Sequence, residues 1–353
     1  ELVRDRSAYL ITFNLREGQQ FRVGRVSVSS DIPSIDADAY AREIRMRAGL
    51  VYSPTLVENE IARLERLAVR NSQNFVRIEP RISRNARDLT LDVDFNISRG
   101  PRVFVERIDI EGNTTTLDRV VRRQFDIVEG DPFNPREVRA SAERIQALGY
   151  FQDANVQERQ GTSPDQVILD VDVVEAPTGS LGFGASYSTN DGLGFSVSFA
   201  ERNFLGRGQG LALDLSATDS RLNFGLDFTE PAFLGRDVTF GFAAGWRETD
   251  NDNSRFSTRR GIISPSLTFP VDEATRLQLR ASMEYNDVFG IDRGFPDDSN
   301  NPNDTGSSNI LRLEEDLGGL YSFSVGYSLT YDSRILGLDP TQGVLFRVRQ
   351  DFG

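Results

Sequence analysis

The 353-residue chain contains no cysteine, no histidine and no lysine; all 40 of its basic residues are arginine. Without histidine or cysteine there is no Ser-His-Asp triad, thiol nucleophile, Cys/His zinc site, disulfide or axial haem histidine. Positive charge is also short, because 40 arginines face 53 acids for a net charge of −13. Nucleic-acid backbones are held by clustered positive charge, so this chain is a poor partner for them. The lack of cysteine suits a cell-envelope protein that avoids unwanted oxidation. No run of 18 or more apolar residues occurs, which excludes a transmembrane helix but not membrane-crossing strands. The opening Glu1-Leu2-Val3-Arg4 is neither an initiator methionine nor a signal peptide, so the chain reads as an internal piece of something longer.

The character of the sequence changes around Glu175-Ala176-Pro177-Thr178-Gly179. The first half repeats itself. Phe21–Val28 matches Val103–Ile110 at an offset of 82 residues, and both alternate as short strands. Short helices are expected at Asp38–Arg47 and Leu117–Phe125. Ser53-Pro54 and Asn134-Pro135 then supply a side-chain N-cap followed by proline at the first helical position. The second helices, Thr55–Val69 and Arg136–Leu148, place Leu56, Ile61, Leu64 and Leu67, or Val138, Ile145 and Leu148, on one face. Gly149 stops the later helix. Asn74–Ile82 with Leu89–Ile97, and Phe151–Gln157 with Val167–Val174, close each unit as strand pairs. The unit is βααββ, used twice, over residues 20–100 and 101–177. Residues 1–19, with Tyr9–Leu15, resemble the last strand of a preceding copy.

Residues 178–353 alternate with period two. Leu181, Phe183, Ala185 and Tyr187 oppose Gly182, Gly184 and Ser186, and Leu193, Phe195, Val197 and Phe199 oppose Gly194, Ser196 and Ser198. The pattern recurs at 211–215, 222–228, 238–246, 263–269, 277–285, 321–331 and 344–348, giving nine strands, most near the ~9–11 residues that cross a bilayer when tilted. A soluble sandwich alternates too. Two features favour a membrane barrel: aromatic residues near the strand ends, and compact turns at 203–209, 230–237 and 270–275 against long acidic loops at 248–259 and 286–319. Single-chain bacterial barrels have even strand numbers, and an open sheet in lipid leaves unsatisfied edges. The barrel is therefore expected to be incomplete, with about nine strands present.

Tandem βααββ units before such a sheet resemble the POTRA-plus-barrel architecture of the BamA family of outer-membrane protein insertases. The motifs that carry the resemblance are Ile110-Glu111-Gly112-Asn113, Leu148-Gly149-Tyr150-Phe151, Gly161–Val167, Asn203-Phe204-Leu205-Gly206-Arg207-Gly208, Glu230–Arg236 and Asp339-Pro340-Thr341-Gln342-Gly343. The resemblance implies α+β POTRA domains followed by the first nine strands of a sixteen-stranded transmembrane antiparallel β-barrel. It also implies outer-membrane localisation with POTRA domains in the periplasm. The expected partners are unfolded outer-membrane proteins, a BamD-type and other assembly lipoproteins, periplasmic chaperones and outer-membrane lipid; no cofactor or nucleic acid is expected. The relatives TamA and the two-partner secretion transporters share the architecture with fewer POTRA units, and they are the alternative: autotransporter assembly or polypeptide export. The run of motifs in the last unit favours the BamA family.

No catalytic constellation stands out. Asp250–Ser254 lacks the glycine and distal glutamate of a calcium loop, and Gly206–Gly210 joins two strands rather than a strand and a helix, so it is no phosphate cradle. Inward Asp214, Asp227, Arg347 and Arg349 are ordinary lumen residues of a barrel. What remains is recognition through backbone, because a sheet edge can accept a client strand. By family resemblance the POTRA edges are Phe75–Ile82, including Ile78, and Phe151–Gln157, including Val156. Arg122, Arg123 and Glu129 fall where the family docks its lipoprotein, although Asp126 departs from the expected basic character. The first barrel strand, with Gly179, Gly182, Gly184 and Ser186, is the expected site of client strand pairing, since interior glycines weaken a strand.

Overall fold

The computed structural model describes residues 19–189, 191–250, 254–272, 274–294, 297–298, 300–334 and 343–353. Tyr9–Leu15, the centre of the 250–254 loop and Asp339–Gln342 lie outside the described residues. The chain forms two compact units, and the boundary runs through the second repeat. One comprises the described residues up to Asp109, with 126–140 and 157–170; the other comprises 110–125, 141–156 and 171–353.

In the first unit, β1 (Arg22–Ser30) leads through α1 (Ala37–Glu43) and α2 (Pro54–Arg70) to β2 (Val76–Asn85) and β3 (Thr90–Arg99). β1 runs parallel to β3 and β2 antiparallel to it, giving the order β1-β3-β2. Val57, Ile61, Leu64 and Ala68 recur at helical spacing, and all are buried with Ile78, Phe95 and Ile97 of the sheet. Leu56 and Leu67 pack at the margin of this core. Ser53 makes no side-chain cap, so Pro54 carries the start of α2 alone. α1 is shorter than its apolar pattern suggests because Ile44 turns extended and ends it.

The second repeat has β4 (Phe104–Glu111), α3 (Asp118–Arg122), α4 (Pro135–Ala147), β5 (Phe151–Gln160) and β6 (Gln166–Glu175), with order β4-β6-β5. Asn134 Oδ1 accepts the Arg136 N–H at 3.0 Å, the expected cap, and Gly149 has the expected positive φ of 68°.

The expected nine strands form one antiparallel sheet in sequence order: β7 (Gly179–Ser188), β8 (Gly192–Phe204), β9 (Gln209–Ala217), β10 (Arg221–Glu230), β11 (Thr239–Thr249), β12 (Ser257–Pro270), β13 (Thr275–Phe289), β14 (Leu320–Asp332) and β15 (Leu345–Phe352). The register keeps one face apolar across every strand, for example Phe183–Val197–Leu215–Phe224–Trp246. The other face is Gly, Ser and charge, as in Gly184–Ser196–Ser216 and Asp214–Gly225–Gly245. Aromatic clusters mark both rims of the apolar face. Near the long loops Trp246 stacks on Tyr285 with centroids 6.0 Å apart and Tyr321 lies tilted against Tyr285 at 5.0 Å, and Phe233, Phe240 and Phe228 cluster near the short turns. Two details differ from the sequence reading. The long-loop rim also carries tight hairpins after β7 and β9, and the 286–319 segment contains a helix, α5 (Asn309–Leu317), capped by Ser308.

Candidate functional site

Two features of the second unit form the candidate site: the strand at one end of the sheet, and the joint that fixes that end to the last repeat. β7 pairs with β8 over ten residues, from Gly179↔Glu201 to Ser188↔Gly192, and stands last in the sheet order. Gly182, Gly184 and Ser186 share the polar face, whereas Gly179 lies on the face of Leu181 and Phe183. Each polar-face glycine faces a cross-strand serine. A Cβ on Gly182 would sit 2.6 Å from Ser198 Oγ, and one on Gly184 would meet Ser196 Oγ. These glycines therefore make room for the β8 serines besides loosening the strand. Phe183 on the opposite face is 77% exposed.

The joint begins where β8 ends. Leu205, Gly206 and Gly208 all take positive φ, so residues 205–208 form a tight turn. Asn203, buried in spite of its amide, donates from Nδ2 to Thr116 Oγ1 at 2.8 Å and accepts the Gly208 N–H at 2.8 Å. The Leu117 N–H donates to Gly206 O at 2.8 Å, and the Tyr150 hydroxyl to Gly208 O at 3.4 Å. A side chain at Gly206 would run into the Thr115 carbonyl. On the repeat's side, Asn113 Nδ2 donates to Thr116 O at 2.9 Å, and a Cβ on Gly112 would strike the Val173 backbone.

Glu175 completes this joint. Its carboxylate accepts the N–H groups of Thr115 and Thr116 at 3.1 and 2.6 Å, and the hydroxyls of Thr114 and Thr115 at 2.7 and 2.8 Å. Burial alone would raise its pKa, but these hydrogen bonds outweigh burial and hold it at about 2. The sequence motifs thus mark the two sides of one contact, 112–117 against 203–208. Nothing local in the sequence marks Glu175, whose partners lie about sixty residues earlier.

The docking residues have separate surroundings. Arg122 Nε donates to Asp118 Oδ1 at 2.8 Å, one turn earlier in α3. Arg123 lies over the 205–208 turn, where a Cβ on Gly208 would sit 2.5 Å from its guanidinium. Glu129 belongs to the first unit and accepts the Ile108 N–H at 3.3 Å, steadying β4.

β2 and β5 each stand at the end of their sheet, but the two edges differ in character. Phe75 stands just outside β2 with φ of 60°, and its ring packs edge-on against Phe104 at 5.1 Å. Ile78 is fully buried, so it faces the core. β2 also carries Pro80 at its centre and exposed Arg77, Arg81 and Arg84, features that blunt an edge. β5 has no proline; Phe151 is buried and Val156 half-buried.

Comparison with known proteins bears on this arrangement. The family model described as the Omp85 superfamily domain matches residues 203–353, and the POTRA model, a surface antigen variable number repeat, matches residues 103–176. Outer membrane protein assembly factor BamA of Neorickettsia risticii (strain Illinois) is 25% identical over 349 residues, covering 97% of this chain and 46% of that protein. The BamA of Neisseria meningitidis serogroup B is 28% identical over 289 residues, covering 80% of this chain and 36% of that protein. The chain thus spans less than half the length of either relative. The crystal structure of BamA from Haemophilus ducreyi lacking POTRA domains 1–3 shares the fold, with a TM-score of 0.53 at 21% identity over 94% of this chain and 63% of that one.

Proposed function

We propose that the chain is part of the central subunit of the outer-membrane β-barrel assembly machinery, a reading supported by its similarity to the Omp85 superfamily domain over residues 203–353 and to the POTRA model over residues 103–176. The observation that carries this reading is β7, an end strand with glycines on its polar face, paired with β8, whose end is joined to the last repeat. Unfolded outer-membrane proteins arrive from periplasmic chaperones and are received by the repeats. They are then folded into the membrane by pairing with β7, whose backbone groups template a strand whatever its side chains. The chain performs no covalent chemistry. Arg122 and Glu129 remain exposed enough to meet a BamD-type lipoprotein, whereas Arg123, over the turn, acts in the joint.

The test is reconstitution. Full-length protein and its lipoproteins in vesicles should convert an unfolded barrel client to its heat-modifiable, protease-resistant form faster than empty vesicles do. Equal rates with and without the protein, or release of the client into the vesicle lumen unfolded, would overturn the reading.

A further inference from the structure

α5 is amphipathic, but it is mounted the wrong way round for a water-facing loop. Its charged side holds it to the protein. Arg312 Nη2 donates to the carbonyls of Arg293 and Thr305 at 2.9 and 2.8 Å. Glu315 accepts the Ile291 N–H at 3.1 Å and pairs with Arg293 at 2.5 Å. The opposite side carries Ile310, Leu313 and Leu317, at the i, i+3, i+7 spacing of one helical face. These three are 75%, 61% and 59% exposed. A soluble loop helix turns such a face inward, since contiguous exposed apolar surface marks a contact with something apolar.

What that contact is follows from where the helix ends. Gly318, at φ 71°, terminates α5, and Gly319 passes so close to Tyr285 that any side chain there would clash with its ring. β14 then begins, and Tyr321, four residues after Leu317, packs tilted against Tyr285 in the Trp246–Tyr285–Tyr321 cluster on the apolar face of the sheet. α5 therefore ends beside the aromatic rim of the sheet with its apolar face uncovered, and such aromatic residues sit at the level of a membrane interface. Phe323, the next residue of β14 on that face, is 66% exposed.

We propose that α5 is an interfacial helix, its Ile310–Leu313–Leu317 face seated at the acyl-chain boundary of the outer leaflet while Arg312 and Glu315 fasten it to the loop. A short helix of this kind lies on the membrane and does not span it. It extends the lipid contact of the sheet beyond the strand ends and anchors the long loop over β13 and β14. The proposal rests on the apolar face of the sheet being the lipid face.

Single cysteines test it: Leu313→Cys, Leu317→Cys, Phe323→Cys and Asp316→Cys in the full-length protein, each labelled with an environment-sensitive fluorophore in outer-membrane lipid vesicles. Quenching by spin-labelled acyl chains is compared with quenching by aqueous iodide. Labels at Leu313 and Leu317 should be blue-shifted and lose emission to acyl-chain quencher as Phe323 does, while Asp316 answers to iodide. Iodide quenching at Leu313 and Leu317, with Phe323 still lipid-quenched, would overturn the helix proposal and leave the membrane reading intact. Shielding of Leu313 and Leu317 from both quenchers would overturn it too, by showing protein over that face. Iodide quenching at Phe323 as well would remove the membrane reading of the sheet and the proposal with it.

Discussion

A carboxylate that receives two backbone N–H groups and two hydroxyls stabilises its surroundings only while it is charged, and Glu175 is such a group. Its folded pKa, about 2, lies below the usual 4.5. The stabilisation is therefore complete above about pH 4.5 and is lost as pH falls toward 2. Amide exchange of residues 112–117, corrected for intrinsic rates, should rise across that window, and in Glu175→Gln it should start higher and stay flat. A native profile independent of pH would count against this role. Gly206 permits a complementary test. Alanine there must hold a positive φ and meets the Thr115 carbonyl, a strain of about 1–3 kcal/mol, whereas alanine at Gly210 finds only Thr229 Cβ at 3.7 Å. Gly206→Ala should lower the thermal midpoint of the folded protein and Gly210→Ala should leave it near native; equal midpoints would contradict the packed turn. At this scale the sequence is half legible. Asn203, Gly206 and Gly112 stand out as motif residues, but a motif does not reveal its partner. That Asn203 meets Thr116, and that Glu175 holds Thr114–Thr116 in place beside it, is a product of the fold.

Among elements, the nine strands are readable because period-two alternation of large apolar residues with Gly and Ser persists through each of them. The register converts that pattern into a prediction. Phe224 lies between Leu215 and Trp246, and Gly225 between Asp214 and Gly245. Phe224→Arg should therefore destabilise the membrane-folded protein by about 2–4 kcal/mol and Gly225→Arg by far less, read as a shift in denaturant midpoint in vesicles. Equal shifts would mean that the faces are assigned wrongly. The repeat edges diverge in the same concrete way. Pro80 leaves β2 without a donor at its centre, and Arg77, Arg81 and Arg84 line it, so an unfolded client peptide should perturb the amide resonances of β5 and spare those of β2. Perturbation of β2 alone would refute this. α5 is not legible in the sequence, because the acidic, Asn/Asp-rich composition of 286–319 reads as loop and hides nine residues of helical spacing. The first helix of each repeat is shorter than its pattern predicts, because extended backbone at Ile44 ends α1 and α3 runs only from Asp118 to Arg122.

Along the chain two repeats come first, the second ending its sheet in β5, then β7 at the end of the nine-stranded sheet, and then the 203–208 turn that packs against 112–117. The fold class and the order of these parts are visible in the sequence because each repeats a simple period. The place where a client joins is visible only as a run of glycines, and the structure gives those glycines a second duty beneath the serines of β8. That duty decides where cysteines can be placed on β7. A cysteine at Gly184 would displace Ser196, so Ser180 and Ser186, which already bear side chains on the same strand, are the better positions. Ser266 of β12, paired on both sides, is the control. In the full-length protein carrying a stalled barrel client with cysteines along its terminal strand, Ser180→Cys and Ser186→Cys should form disulfide crosslinks in a fixed register and Ser266→Cys should form none. Crosslinks of equal yield at all three, or none at β7, would contradict entry of clients at this strand.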